Sequence, residues 1–351
     1  MTANCANMVS LAAQWPHQFM RTTEDITLHY VDVGPRDALP VVLVHGWPDL
    51  WFGWRHQIQA LQTSYRLIVP GNKSSSIIPR LYLRGFGQSS TPQNVEAYGA
   101  KNVTNDLAAL LDGLKIEKAV FLGHDWGGSV VWRMCLYHPK RVIAVGAVCT
   151  AYTPPAKRLM PLDVVVAKVP YFSYQKLLAD AENTGKMLDT SPRRFLTAVF
   201  RKHSEMSPTL ENDQMPIIGT LQGVIDSSDP IFTQRSAMLS EEELQYYVDQ
   251  YERSKFQSTC QYYATREIDF KTEQGLRSTI DHPALFIAAA NDHVLKPELA
   301  HKMHRFLPNL ETHIVDDAGH WVLWEQKERV NTILKAWLGK IPVPGADRSK
   351  L

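Results

Sequence analysis

The chain of 351 residues is long enough to bury a sizeable core and, as a prior, to hold two domains. Hydrophobic residues make up 44% and charged residues 21%, the balance of an ordinary globular protein rather than a disordered one. A formal net charge of +1 removes the electrostatic case for nucleic acid or an anionic membrane as partner.

Met1 to Trp15 lacks a basic n-region and a long apolar h-region, so no signal peptide is expected. No apolar run reaches the length of a membrane span. Ile26 to Val33 alternates and then meets Gly34-Pro35, as a half-buried strand and turn would. Val41-Val42-Leu43-Val44 is continuously apolar, like a buried parallel strand, and leads into His45-Gly46-Trp47-Pro48. Trp51 to Gln62 reads as a helix and Tyr65 to Val69 as the next strand. Asn102 to Leu114 places Val103, Leu107, Leu110, Leu111 and Leu114 at helical spacing. Ala119-Val120-Phe121-Leu122 then feeds Gly123-His124-Asp125-Trp126-Gly127-Gly128, and an apolar-periodic segment follows from Ser129 to Leu136. Val142 to Val148 is another buried strand. This alternation predicts a mostly parallel sheet covered by helices on both faces.

From Ala151 to Ile280 the rhythm stops. Leu159 to Val169, Phe195 to Phe200, Glu241 to Ser254 and Gln261 to Arg266 read as helices or fragments, broken by Pro170, Pro192, Pro208, Pro216 and Pro230. The strand–helix pattern resumes at Pro283. Ala284 to Ala290 runs into Asn291-Asp292-His293, a helix is expected from Pro297 to Phe306, and Thr312 to Val315 runs into Asp317-Ala318-Gly319-His320-Trp321. The expected organisation is an α/β core (1–150), a helical insertion (151–280), the rest of the core (281–340) and a tail (341–351). Cys5, Cys135, Cys149 and Cys260 have no metal spacing, and apolar surroundings make Cys135 and Cys149 candidates for buried free thiols.

Strand, glycine turn, helix is the layout of a nucleophile elbow, which holds its central residue on a strained turn above the sheet. Serine commonly occupies that centre; here it is Asp125. The positive end of the following helix would favour an ionised carboxylate, able to attack an electrophilic carbon and form an ester. The alternative is an ordinary helix N-cap Asp after a glycine turn. Polar groups beyond the other strands weigh against it. Each lies at a strand's carboxyl end, where open α/β sheets assemble their sites, and nucleophile, acid and histidine follow in α/β-hydrolase order.

On these motifs the chain resembles the α/β-hydrolase-fold epoxide hydrolases, the soluble-epoxide-hydrolase-like group, over nearly its whole length. The resemblance implies an α/β-hydrolase fold whose helical cap is the 151–280 insertion. It implies Asp125 as nucleophile, His320 as general base and Asp292 as the acid orienting that histidine. Backbone N–H groups of Trp47 and Trp126 would form the oxyanion hole, with His45 shaping its loop and His124 packing. Two cap tyrosines would donate to the departing epoxide oxygen. Tyr174 and Tyr263 match them, with Tyr171 and Tyr262 as neighbouring rivals. No cofactor and no metal are implied, the expected substrate is a small apolar epoxide, and the oligomeric state is open.

Competing readings remain. Haloalkane dehalogenases share the Asp-Trp pair, but usually carry Asn at the Trp47 position and lack the tyrosines. A serine esterase is disfavoured because Ser129 lies beyond the turn, and a non-catalytic binder typically loses a triad member. Another hydrolase acting on a toxin precursor is a further alternative.

Two segments depart from the pattern. In the family the strand ending at Pro70 runs within a few residues into an Arg-Gly-Phe/Tyr-Gly turn; here Arg84-Gly85-Phe86-Gly87 comes only after residues 71–83, which lack the usual Asp. An intervening loop of this length reads as disordered or as a short intron translated through, rather than as a functional loop. The chain closes with Ser349-Lys350-Leu351, a peroxisomal address, which makes an import receptor an expected partner and the peroxisome the expected compartment. Family members in fungal secondary-metabolite and toxin pathways carry such addresses, pointing to a fatty-acid- or polyketide-derived epoxide.

Overall fold

A computed structural model describes residues 8–70, 84–86, 90–206 and 230–342. Residues 71–83 and Ser349, Lys350 and Leu351 lie outside the described residues.

Eight strands form one sheet: β1 (His17–Arg21), β2 (Thr27–Val33), β3 (Pro40–Val44), β4 (Arg66–Pro70), β5 (Ala119–His124), β6 (Val142–Val148), β7 (Ala284–Ala289) and β8 (Leu310–Val315). Their spatial order is β1-β2-β4-β3-β5-β6-β7-β8. β1 pairs antiparallel with β2, and β2 antiparallel with β4; the remaining pairs are parallel. Every residue of β5 and β7 is buried, which explains their continuous apolar runs. Helix Ala100–Gly113 buries Val103, Leu107, Leu110 and Leu111 along one stripe. The parallel register brings the ends of β3, β5, β7 and β8 to one edge of the sheet: Val44 lies opposite Gly123, and Ala289 opposite Val315.

Several elements differ from the sequence expectation. Strand β1 and a short helix, Met8–Ala12, precede the first expected strand; β1 reads HQFMR, without the apolar alternation that marks a buried face. The Trp51–Gln62 segment is a 3-10 turn, Trp51–Trp54, followed by helix Arg55–Leu61. The helix expected from Pro297 to Phe306 is two separate 3-10 turns, Pro297–Ala300 and Met303–Arg305. Between β6 and β7 the described regular elements are all helical, and Tyr174–Ala179 and Ala181–Asp189 join those the sequence pointed to.

This helical layer is fastened directly to the loop after β3. Arg55 Nε donates to Glu243 Oε1 at 2.7 Å inside the protein, while the guanidinium lies 4.8 Å from both the Phe52 and Trp324 ring centroids. Glu243 also closes the capping box of helix Glu241–Ser254 by accepting from the Ser240 N–H. Tyr247 on that helix donates its hydroxyl proton to Asp49 at 2.6 Å, and Trp47 Nε1 donates to Thr259 Oγ1 at 3.0 Å. The loop carrying Trp47 is therefore held from above as well as from the sheet.

Candidate active site

β5 ends at His124, and Asp125 turns the chain into helix Trp126–Tyr137 with φ 53° and ψ −123°. A non-glycine residue at positive φ costs on the order of 1–3 kcal/mol and persists only where its surroundings enforce it. Here Thr150 Oγ1 donates to the Asp125 carbonyl at 2.5 Å, and the Ser129 N–H donates to the same oxygen at 3.2 Å. Room for the carboxylate depends on Gly46, where a Cβ would lie 2.4 Å from both the Cβ and Oδ1 of Asp125. The turn thus projects the carboxyl group beyond the sheet edge toward the loop after β3.

That loop meets it with a donor. The Trp47 N–H donates to Asp125 Oδ1 at 2.7 Å, and the Trp126 N–H also bonds the carboxylate. His45 is fully buried and neutral, its pKa lowered to about 4 by desolvation, and its Nδ1 bonds the Gly46 carbonyl at 3.0 Å. On the opposite side His320 Nε2 stands 3.7 Å from Asp125 Oδ2, while His320 Nδ1 bonds Asp292 Oδ2 at 2.9 Å. Asp292 Oδ1 accepts from the Val294 and Leu295 N–H groups, each at 2.8 Å, which orients the carboxylate.

The electrostatics follow from burying these three groups together. Burial alone would raise Asp292, but His320 and the two N–H donors outweigh it and hold the pKa at about 2. Burial alone would lower His320, yet Asp292 and then Asp125 raise it to about 9. For Asp125 desolvation prevails and the pKa is raised, although His320 and the Trp47 and Trp126 N–H groups pull the other way. The turn's N–H donors and the imidazolium, rather than any general preference of the helix end, are what oppose protonation of Asp125.

Tyr174 and Tyr263 line the same cavity of about 710 Å³ as Trp47, Asp125 and His320. Their ring centroids are 6.0 Å apart, and both hydroxyls have raised pKa values, chiefly from burial, with Asp125 adding to it. The Trp126 indole N–H bonds the Tyr263 hydroxyl oxygen, leaving the phenolic proton for another acceptor. The rivals are engaged elsewhere. Tyr262 donates to the Arg84 carbonyl at 3.1 Å, and Lys296 Nζ sits 4.9 Å from the Tyr171 ring centroid. The structure therefore brings together Asp125, His320, Asp292, Trp47, Trp126, Tyr174 and Tyr263.

Other residues at the site carried no clear sequence signal. His124 does more than pack: its Nε2–H donates to the His320 carbonyl at 2.9 Å, with its pKa lowered to about 3 first by burial. Glu325 accepts from the Gly319 N–H at 3.0 Å and from the His203 N–H at 2.8 Å, tying the histidine loop to the helical layer. Arg201, His203 and His293 line the cavity; only His293, adjacent to Asp292, could have been suspected. Cys149, at φ 64°, lies with its Sγ 3.8 Å from the His320 carbonyl oxygen. Ligand atoms of His124, Cys149 and His320 come within 4.8 Å of one another, but burial and the Asp292 carboxylate keep the thiol protonated. The three described cysteines, Cys135, Cys149 and Cys260, are buried free thiols.

Comparison with known proteins fits this geometry. The alpha/beta hydrolase fold family matches residues 40–327. "Epoxide hydrolase A" of Mycobacterium tuberculosis is 32% identical over 334 residues, covering 92% of this chain and 97% of that protein. The chain belongs to the epoxide hydrolases of the α/β-hydrolase fold. "Bifunctional epoxide hydrolase 2" of Rattus norvegicus is 33% identical over 324 residues, covering 92% of this chain and 55% of that protein. The chain thus spans about half the length of the mammalian relatives it matches. The crystal structure of Epoxide Hydrolase A from Mycobacterium thermoresistibile superposes with a TM-score of 0.77 at 30% identity, over 94% of this chain and 99% of that one.

The raised His320 pKa has a stability consequence. A group whose folded value, about 9, exceeds its ordinary 6.5 stabilises the protein fully below about pH 6.5 and loses that contribution as pH rises through about 9. The difference in unfolding midpoint between the native protein and His320→Gln should therefore shrink across that window in denaturant titrations. A difference that grew with pH would contradict the assigned charge state.

Proposed function

We propose that this chain hydrolyses an epoxide to a vicinal diol through a covalent ester on Asp125. The observation that carries the reading is a carboxylate, not a hydroxyl, at the elbow, with His320 3.7 Å behind it and two buried tyrosine hydroxyls across the same cavity. In the first step an Asp125 oxygen attacks an epoxide carbon as the ring C–O bond breaks. The departing oxygen takes its proton from Tyr174 or Tyr263. In the second step His320 removes a proton from water, and the water oxygen attacks the ester carbonyl. The Trp47 and Trp126 N–H groups stabilise the resulting oxyanion. As it collapses, the expelled oxygen takes the proton from the His320 imidazolium to complete the diol. The proton left on the Asp125 carboxyl returns to the tyrosinate, which regenerates the carboxylate. Asp292 holds the imidazole and balances its charge.

Apolar residues such as Val199, Met206, Val294 and Trp321 on the cavity wall support an apolar epoxide as substrate, and the peroxisomal address together with the family resemblance favours a fatty-acid- or polyketide-derived one from secondary metabolism. A dehalogenase reading is less well supported, because both indole N–H groups at the site are committed to hydroxyls instead of open to a halide. The terminal Ser349-Lys350-Leu351 supports import into peroxisomes.

If His320 serves only the second step, His320→Gln incubated with an epoxide substrate should accumulate the ester. Intact-protein mass should rise by the mass of the substrate, and the added Asp125→Ala change should abolish the adduct. Tyr174→Phe or Tyr263→Phe should slow adduct formation by about ten- to a hundredfold, a lost hydrogen bond to developing charge. Rapid turnover by His320→Gln with no adduct would count against the scheme. For the compartment, an N-terminal fluorescent fusion should be punctate, and extending the chain past Leu351 should render it cytosolic. Punctate signal that survives the extension would contradict the address.

A further inference from the structure

Four large hydrophobic side chains are exposed among the described residues, and their placement is uneven. Phe19 and Ile314 sit singly on β1 and β8, the two opposite edges of the sheet, and isolated exposures of that kind are ordinary. Leu159, 39% exposed, and Val164, 41% exposed, lie together on one segment of the helical layer. The helix there, Leu162–Lys168, carries Leu162, Val164, Val165 and Val166 and has no buried residue. A helix of that composition ordinarily turns an apolar stripe into the core. This one rests mainly on the elements that follow it, the turn Pro170–Phe172 and helix Tyr174–Ala179. Its Val165 and the preceding Leu159 and Met160 border a cavity of about 1170 Å³ instead of packed side chains.

The charge around this segment is as uneven as its apolar surface. The whole chain is nearly balanced, with 37 basic and 36 acidic residues, and so has no long-range pull toward an anionic surface. Residues 157–176 are not balanced: they hold Lys157, Arg158, Lys168 and Lys176 against Asp163 alone. Asp163 is taken by Lys176 in an exposed ion pair. Among the described residues, Lys157, Arg158 and Lys168 form no ion pair, and all three are exposed. They bracket the apolar run, two before Leu159 and one after Val166. Further along, Tyr171 holds Lys296 Nζ 4.9 Å from its ring centroid, with the Glu298 carboxylate also acting on it, so that end adds little net charge.

A short apolar run bracketed by cations fits a protein partner poorly. Stable interfaces take on the order of 20–30 residues a side and deplete lysine at their centres, whereas this patch runs only from residue 157 to 168. A lipid surface demands no such breadth or shape match. Aliphatic side chains enter the acyl boundary, while lysine and arginine stems reach back to the headgroups and gain from anionic charge there. We propose that segment 157–168 docks the protein on an anionic lipid surface, with Leu159, Leu162 and Val164 entering the interface and Lys157, Arg158 and Lys168 contacting the lipid phosphates and carboxylates. The docking is a property of the helical layer's exposed surface and does not depend on the reaction assigned to the catalytic cavity.

The test is flotation of the full chain with vesicles of phosphatidylcholine, with and without about one-third phosphatidylserine. The native protein should float with the anionic vesicles, less as salt is raised, and should bind the neutral ones about a hundredfold more weakly. Lys157→Gln, Arg158→Gln and Lys168→Gln combined should weaken binding to the anionic vesicles about a hundredfold, about fivefold for each charge, and leave binding to neutral ones unchanged. Val164→Glu should weaken binding to either vesicle about tenfold. Because the replaced side chains are exposed, the unfolding midpoint should hold in both variants, and the charge variant removes no apolar contact. No flotation of the native protein with anionic vesicles at low salt would overturn the proposal, as would flotation that neither variant weakens. A native dimer that Val164→Glu converts to a monomer, with no lipid binding by either, would overturn it too and assign the patch to a second copy of this chain.

Discussion

The site depends on one buried arrangement: the Asp125 carboxylate, held at positive φ, accepting from the Trp47 N–H at 2.7 Å and facing His320 at 3.7 Å. A carboxylate removed from water is costly unless its oxygens find donors and a counter-charge. The surroundings supply both. Gly46 lets the β3 loop approach closely enough to present its N–H, and Thr150 and Ser129 fix the carbonyl of the strained residue. The helical layer then holds that loop in place through Asp49–Tyr247 and Trp47–Thr259. Sheet, loop and helical layer all converge on two oxygen atoms.

The same arrangement suits a two-step reaction. In the resting protein His320 is raised to about 9 by Asp292 and Asp125 together, a poor state for a base. Esterification of Asp125 would remove one of those two negative neighbours. The imidazole would then lose part of the support for its proton just when the proposed mechanism needs it neutral. Asp292, held at about 2 by His320 and two backbone donors, stays ionised throughout and keeps the ring oriented. In the proposed mechanism, base activation would then follow from the first chemical step without a separate trigger.

Much of this was legible in the chain because three of the site's groups follow continuously apolar strands. Asp125 after β5, Asp292 after β7 and Trp47 after β3 are placed by that pattern alone, and chain order links them to His320. The tyrosines were less secure, since aromatic residues pack as readily as they donate; only their position in the cavity separates Tyr174 and Tyr263 from Tyr171 and Tyr262. Strand β1 was missed because its edge position leaves it without an apolar face. His124, Cys149, His203 and Glu325 reach the site through long-range contacts that no local periodicity encodes.

The central claim is that Asp125 attacks carbon, and oxygen labelling tests it most directly. In a single turnover in 18O water with protein in excess over epoxide, the oxygen added to the substrate should come from the Asp125 carboxylate. The diol from that turnover should be unlabelled and the label should appear in Asp125, located by peptide mass analysis. Labelled diol with unlabelled Asp125 would mean that water attacks the epoxide directly, with Asp125 acting as a base, and would contradict the covalent account.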